Sequence, residues 1–214
     1  GIVKLNLDKF NYGQWSVRDE TLPSVTRILS GTKDDSGLET WRKRVGEEEA
    51  KRIMEESANR GKAMHKMIEA RLKGHGYEDL TPVGQEARPM AGRILDIGLT
   101  PLEEIWGLES HLVYPDLYHG YSDLLGIYNG KETVIDFKQA NRPKKLEWVE
   151  DYYLQAAAYA MAHDHNFNTH IEQAVILVCT KDLLLQTFKI EGAGLGWAKH
   201  AFLERLGAHE KNPI

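Results

Sequence analysis

The stretch GYSDLLGIYNGKETVIDFK, residues Gly120–Lys138, decides the fold of this chain. Two strand-like runs flank Asn129-Gly130, a dipeptide that strongly favours a two-residue β-hairpin turn. In such a hairpin, the residue numbers of any two directly paired residues add up to the same value. Asp123 and Asp136 satisfy that sum, so the sequence predicts that their side chains lie opposite each other, with Cβ atoms about 5 Å apart.

Two facing carboxylates repel each other, and a divalent cation would remove the conflict. Mg²⁺ prefers oxygen ligands, so the sequence predicts Mg²⁺, or Mn²⁺ as the alternative, bound by Asp123 and Asp136. Lys138 lies on the same face, two residues beyond Asp136, where it could orient a water or stabilise charge on a phosphoryl oxygen. The alternative is a solvent-exposed strand end with Lys138 as a counter-charge. A bulge in either strand would also shift the register.

The hydrophobic pattern predicts helices before about residue 100 and strands alternating with helices after it. One helix is expected to begin at Ser24, and two charged helices are expected at 38–57 and 60–73. Further helices are expected at 85–99, with an interruption near Pro89, and at 148–163 and 192–206. The expected strands cover 105–114, 121–128, 133–138, 173–180 and 183–190. We therefore predict a single α/β domain over 1–214, mainly helical over 1–100, with the sheet core and its catalytic hairpin over 101–214.

Composition limits the possible partners. The chain has 214 residues and a net charge of −5, which argues against tight, sequence-independent binding to duplex DNA. Its single cysteine, Cys179, excludes an intrachain disulfide or an iron–sulfur cluster and is expected to be a small buried apolar residue. No apolar run reaches the roughly 20 residues that span a bilayer, so no membrane partner is expected. Without a visible leader we expect a cytoplasmic location, in a phage-infected or bacterial cell, or the mitochondrial matrix if a transit segment has been removed.

Several short motifs resemble the signature of the PD-(D/E)XK nuclease superfamily. Gly120–Asp123 followed by Ile135–Lys138 is similar to its central motif, and Gln155–Tyr159 resembles the Gln-x-x-x-Tyr motif of the RecB-type exonuclease branch. Gly61–His65 with Glu69 resembles the upstream histidine motif of that branch. The chain is also similar, along nearly its whole length, to the family of mitochondrial genome maintenance exonucleases with their phage and bacterial relatives. Further matching positions are Pro23–Thr26, Trp41, Glu109-Ser110, Pro143-Lys144, Leu154-Gln155 and Trp197.

The resemblance implies a restriction-endonuclease-like fold: a mixed central sheet flanked by helices, with an N-terminal helical layer. It implies metal-dependent hydrolysis of single-stranded DNA, with a free end threaded under a helical arch. Carried over residue by residue, it implies metal binding by Asp123, Asp136, the Phe137 carbonyl and His65, a water positioned by Lys138, and a site lined by Gln155 and Tyr159. Gln139 departs from the family, in which a threonine or serine is common at that position.

Other residues remain open between a functional and a structural role. Glu109 could add a third carboxylate or be a strand-edge charge, and Glu69 could bond to the His65 imidazole or form a surface ion pair. Basic side chains after the catalytic strand could contact phosphates or line a solvated loop: Arg142, Lys144 and Lys145. Aromatic residues could stack on bases or belong to the core: Trp41, Trp148, Tyr152 and Tyr153. His163 and His165 are expected on the surface.

The leading hypothesis is therefore a metal-dependent exonuclease acting on single-stranded DNA. The first alternative is an endonuclease or junction resolvase of the same superfamily. The second is a non-catalytic module that binds nucleic acid or protein on a nuclease fold. The third is a hydrolase with a substrate other than nucleic acid, which the order of the motifs disfavours.

Overall fold

A six-stranded mixed sheet forms the centre of the molecule, in the order β1-β2-β3-β4-β5-β6. The structure is a computed structural model that describes residues 2–213. The strands are β1 (Lys4–Leu5), β2 (Leu102–Tyr114), β3 (Tyr118–Tyr128), β4 (Lys131–Ala140), β5 (Gln173–Thr180) and β6 (Leu185–Glu191). The pairs β1/β2 and β4/β5 are parallel and the other neighbours are antiparallel. The predicted mixed sheet is confirmed, and β1 is an edge strand that the sequence pattern did not reveal.

The β3–β4 hairpin has the register that the Asn129-Gly130 turn predicts. Its ladder runs from the pair Tyr128–Lys131 next to the turn to the pair Leu124–Ile135. Both turn residues have positive φ, 52° for Asn129 and 77° for Gly130, as a tight hairpin turn of this kind requires. The next positions outward are those of Asp123 and Asp136, so the turn aligns the two carboxylates.

The N-terminal helices are α1 (Val25–Thr32), α2 (Ser36–Val45), α3 (Glu47–Leu72) and α4 (Pro82–Arg93). Ser24 caps α1 by accepting the Arg27 N–H, as expected. The prediction of two charged helices at 38–57 and 60–73 was wrong in its boundaries. The chain breaks at Gly46, which has a φ of 92°, and α3 then continues without interruption to Leu72.

The predicted interruption near Pro89 was also wrong. Pro89 lies inside α4, and a π-helical turn, Ile94–Gly98, follows the helix. Ala87 and Met90 on either side of the proline are fully buried, so packing of this face against the sheet offsets the backbone hydrogen bond that proline cannot donate.

Two apolar clusters hold the helices against opposite faces of the sheet. One cluster joins α5 (Glu150–Phe167) and α6 (Gly192–Lys211) to residues such as Leu125 and Val134. The other joins α3 and α4 to Leu124 and Ile135, and it contains the buried Cys179, as expected. No helix in the described part of the chain has the length and apolar character needed to cross a bilayer.

His163 on α5 corrects one expectation. It was predicted on the surface, but it is fully buried, whereas its neighbour His165 is exposed. Tyr12 donates its hydroxyl to His163 Nε2 at 2.7 Å, and His163 Nδ1 donates to Thr169 Oγ1 at 2.7 Å. This assignment follows because Thr169 itself donates to Asp164. The imidazole is therefore neutral and fully bonded, and burial lowers its pKa to about 4.

Candidate active site

Asp123 and Asp136 meet where the β3–β4 ladder ends. Beyond the Leu124–Ile135 pair, Asp123 Oδ2 accepts the backbone N–H of Phe137 at 2.8 Å, which replaces the backbone acceptor of a regular ladder. Asp136 is 2% exposed, and its carboxyl lies close enough to that of Asp123 for the two charges to interact. The juxtaposition expected from the turn is thus present in the structure.

Lys138 lies beside this carboxylate pair. Its ammonium is 2.8 Å from Asp136 Oδ2 and donates to Gln155 Oε1 at 2.8 Å. Gln155 in turn donates from Nε2 to the Tyr159 hydroxyl at 3.1 Å. The ring centroid of Tyr152 lies 4.8 Å from the same ammonium. One turn of α5 therefore aims Lys138 at Asp136, and the predicted residues Gln155 and Tyr159 line the site.

His65 reaches the carboxylates from α3, on the other side of the sheet. Its Nε2 lies 3.1 Å from Asp123 Oδ2, and its Nδ1 lies 2.8 Å from the carbonyl oxygen of Gly61. Both partners are acceptors, so both ring nitrogens donate and the imidazole is cationic. Glu69 does not bond to the ring, because it pairs with Lys73 at 2.7 Å.

Glu109 on β2 is the third carboxylate of the site. It falls opposite Asp123 between the pairs Leu108–Leu124 and Ser110–Ser122, and its φ of 48° departs from strand geometry. Glu109 lines a cavity of about 530 Å³ between α3 and the sheet, together with His65 and Lys138. The charge of Asp123 repels its carboxylate.

The three carboxyls titrate differently because their neighbours differ. Burial, helped by the charge of Asp123, raises the pKa of Asp136 to about 7, against the opposing charge of Lys138. Burial and then Asp123 raise the pKa of Glu109 to about 8. Burial would also raise the pKa of Asp123, but the hydrogen bond and charge of His65 outweigh it, and the net shift is well below the ordinary value. The cluster therefore holds more carboxylate than its surroundings neutralise.

This donor set fits a hard divalent cation. Glu109, Asp123 and Asp136 supply oxygens, and the raised pKa values of Glu109 and Asp136 show that positive charge nearby would be favourable. His65 could add a nitrogen by losing its Nε2 proton while Nδ1 still donates to Gly61, the arrangement common in metal-binding histidines. Within residues 2–213 no three such side chains already surround one point, since the Asp123 and Asp136 oxygens are turned to His65, Phe137 and Lys138.

The basic and aromatic residues that were predicted around the site occupy different environments in the structure. Lys145 lies 5.0 Å from the ring centroid of Trp148, and the backbone of Lys144 exchanges two hydrogen bonds with Gln186, so this loop after β4 is anchored. Arg142 in the same loop is exposed. Trp41 is not brought to the carboxylates. Its neighbour Arg42 contacts Met54, which lies 11 residues, or about 16 Å of helix, before His65.

Two features of the cavity were missed by sequence reasoning. Lys66 lines it beside Lys62 and His65, one helical turn along α3, a spacing that a helical projection could have shown. Gln139, which departs from the resembled family, donates from Nε2 to the carbonyl and hydroxyl of Ser57. It therefore ties β4 to α3 at the edge of the site.

Comparisons with known proteins identify relatives of the chain. No protein-family model matches it. The mitochondrial genome maintenance exonuclease 1 of Mus musculus is 34% identical in an alignment of 175 residues that covers 76% of this chain and 51% of that protein. The protein of the same name from Xenopus tropicalis is 31% identical in an alignment of 197 residues that covers 84% of this chain and 53% of that protein. The chain thus spans about half the length of the curated relatives it matches.

A solved structure supports the fold. A protein from Eubacterium rectale, described as a candidate exonuclease, superposes with a TM-score of 0.51 at 12% identity, over 74% of this chain and 69% of that one. The relatives found by sequence are named exonucleases, and the solved structure supports the fold alone. The mitochondrial genome maintenance exonucleases are the curated relatives that it resembles by sequence, as the motifs predicted.

Proposed function

We propose that this protein hydrolyses phosphodiester bonds of DNA with Mg²⁺ or Mn²⁺, working from the free end of a single strand. One observation carries the proposal: Lys138 is held between Asp136 and Gln155 at a cavity that His65 and Glu109 also line. The names of the curated relatives, exonucleases of mitochondrial genome maintenance, support DNA as the substrate and removal from an end.

Glu109, Asp123 and Asp136 would hold the cation, with the Phe137 carbonyl and His65 as further candidates. A divalent cation there supplies charge that stabilises a phosphoryl oxygen and lowers the pKa of water. Lys138 keeps its proton: burial alone would lower its pKa, but the charges of Asp136 and Asp123 raise it. Its ammonium can therefore orient the attacking water and stabilise negative charge on the scissile phosphate. Gln155 fixes the direction of that ammonium.

The position of the carboxylates supports a single-stranded substrate. α3 lies over them, since His65 of this helix reaches Asp123, and Lys62 and Lys66 line the same cavity. A flexible strand can bring one phosphate under a helix, whereas duplex DNA has a persistence length of about 150 base pairs and bends at a cost. The net charge of −5 also disfavours tight, nonspecific duplex binding.

The test is digestion of end-labelled linear and circular single strands with Mg²⁺ or Mn²⁺. We expect the linear strand to be degraded, the circle to survive, and chelation with EDTA to stop the reaction. Asp136→Asn and Lys138→Met should each lower kcat by at least about 100-fold. The matched exposed variants Asp182→Asn and Lys211→Met should retain full rates. Cleavage of the circle would instead indicate an endonuclease, and full activity of Asp136→Asn would refute this assignment of the site.

A further inference from the structure

Three aromatic side chains form a surface next to the carboxylates that the chemistry above does not use. The rings of His111 and Tyr121 are stacked, with centroids 4.5 Å apart and an interplanar angle of 11°. The ring of His119 meets His111 edge-on, with centroids 5.0 Å apart, and a 2.8 Å hydrogen bond joins His111 Nε2 and His119 Nδ1. We call His111, His119 and Tyr121 the aromatic shelf.

The shelf is placed by strand geometry. His111 and Tyr121 are directly paired across β2 and β3. Alternate residues of β3 turn to α5, because Tyr118 donates its hydroxyl to Ala158 and Gly120 packs against Tyr159. His119 and Tyr121 therefore project from the opposite face of the sheet.

The shelf is open and continuous with the candidate active site. Tyr121 is 50% exposed although its ring is stacked on His111. A groove of about 350 Å³ includes Tyr121, His111 and Lys73 in its lining, and it shares Glu109 with the cavity around His65. Tyr121 precedes Asp123 by two residues, a distance of about 6.8 Å along a strand. That distance is close to one nucleotide of an extended single strand.

The charges near the shelf distinguish a base from a phosphate. Asp19 and Glu20 act electrostatically on both imidazoles. Carboxylates there disfavour a phosphate, whereas the exposed aromatic face of Tyr121 suits a nucleobase of any sequence.

We propose that the aromatic shelf is a base-stacking subsite, which holds one unstacked nucleobase next to the nucleotide whose phosphate lies at the carboxylates. This inference rests on the proposed function, because it names a contact to the same substrate strand. A base paired within a duplex cannot offer its face to Tyr121, so the subsite selects single-stranded DNA.

The test asks whether loss of the Tyr121 ring and loss of one base affect KM through the same contact. Linear oligonucleotides carry one abasic position, moved stepwise through the first several nucleotides from the digested end. With the unaltered protein, one position should raise KM about tenfold, the size expected for loss of one stacked base. In Tyr121→Leu, KM for the intact strand should rise by a similar factor, and the abasic position should have no further effect. Tyr121→Phe keeps the ring and should restore the sensitivity.

Trp197→Leu is the matched control, because Trp197 is 52% exposed and lies on α6. Thermal melting checks that each variant is folded. Equal sensitivity of Tyr121→Leu and the unaltered protein to the abasic position would overturn the subsite while leaving the proposed hydrolysis intact.

A binding assay separates the subsite from hydrolysis. Quenching of 2-aminopurine in a bound single strand reports stacking without any cleavage, and we expect it to be lost in Tyr121→Leu and retained in Tyr121→Phe. Quenching by a protein that does not cleave would support the subsite and refute the hydrolysis. The absence of quenching at every position would refute the subsite.

Discussion

Gln155 accepts a hydrogen bond from the ammonium of Lys138 at 2.8 Å, and this contact joins α5 to β4. The amide also donates to Tyr159, so its orientation is fixed: Oε1 faces the ammonium and Nε2 faces the phenol. A lysine side chain has many rotamers, and this one is restricted by Gln155 on one side and Asp136 on the other. Gln155 is therefore a positioning residue in the proposed reaction.

The first prediction concerns that contact. Gln155→Leu should lower kcat about 10- to 100-fold with little change in KM, because Lys138 loses its alignment and not its charge. Tyr159→Phe should have a smaller effect, about fivefold or less, because Gln155 loses one neutral hydrogen bond. Steady-state kinetics on a single-stranded oligonucleotide measure both. Gln85→Leu, at an exposed glutamine of α4, serves as the control. A rise in KM alone would contradict a role in positioning Lys138.

The second prediction concerns the close approach of β3 to α5. A Cβ atom at Gly120 would lie 2.7 Å from Cε1 of Tyr159 and 3.3 Å from Cγ2 of Val25. Gly120→Ala should therefore lower the free energy of unfolding by about 1–3 kcal/mol and displace Tyr159. In contrast, a Cβ at Gly92, within α4, meets nothing within 4 Å, and Gly92→Ala should stabilise the protein by up to about 1 kcal/mol. Urea denaturation measures both, and equal stabilities would contradict the packing described for Gly120.

The third prediction concerns Arg60, a guanidinium that is only 2% exposed. It donates to Glu86 at 3.1 Å and through two N–H groups to Asn141 Oδ1 at 3.2 and 3.1 Å. These bonds tie α3 to α4 and to the first residue after β4. Arg60→Met should cost about 2 kcal/mol of unfolding free energy, the scale of charge-assisted hydrogen bonds. Arg52→Met breaks two exposed ion pairs and should cost much less, because solvent screens exposed charges. Chemical denaturation of both variants tests this ranking.

The fourth prediction concerns the pH dependence of stability. His163 has a pKa of about 4 in the folded protein and an ordinary value near 6.5 when unfolded. Between these values the unfolded chain binds the additional proton, so stability falls as the pH drops from about 6.5 to 4. The contribution is about 3 kcal/mol, from 1.36 kcal/mol per pKa unit. Replacement of His163 by Gln should flatten this slope, while replacement of the exposed His165 by Gln should not. If the free energy of unfolding falls with pH equally in the unaltered protein and in both variants, His163 is not buried in its neutral form.

Local signals explain which parts of the structure could be predicted. The Asn129-Gly130 turn sets the register of β3 and β4 within 19 residues, so the pairing of Asp123 and Asp136 follows from short-range rules. The contacts of His65 and Gln155 join distant segments, and only resemblance to a family indicated them. No local sequence pattern indicates the hydrogen bonds that Gln139 and Arg60 make to distant segments.

The errors also have physical causes. His163 lies in the polar run Ala-His-Asp-His-Asn, which favours an exposed helix end, but its partner Tyr12 is 151 residues away. Pro89 was expected to interrupt a helix, and buried neighbours on α4 outweigh that tendency. The pairing of His111 with Tyr121 depends on the register of a second hairpin, whose turn lacks a strong dipeptide signal.

The carboxylates are contacted from both sides of the sheet, by His65 of α3 and, through Lys138, by Gln155 of α5. His65 and Gln155 lie about ninety residues apart in the chain. The site is therefore complete only when early and late parts of the protein have folded together. While the chain is still being synthesised, the carboxylates of the site therefore lack the side chains that orient them. Any cleavage would begin only once synthesis has passed α5, and recovery of activity during refolding would report the docking of both helical layers.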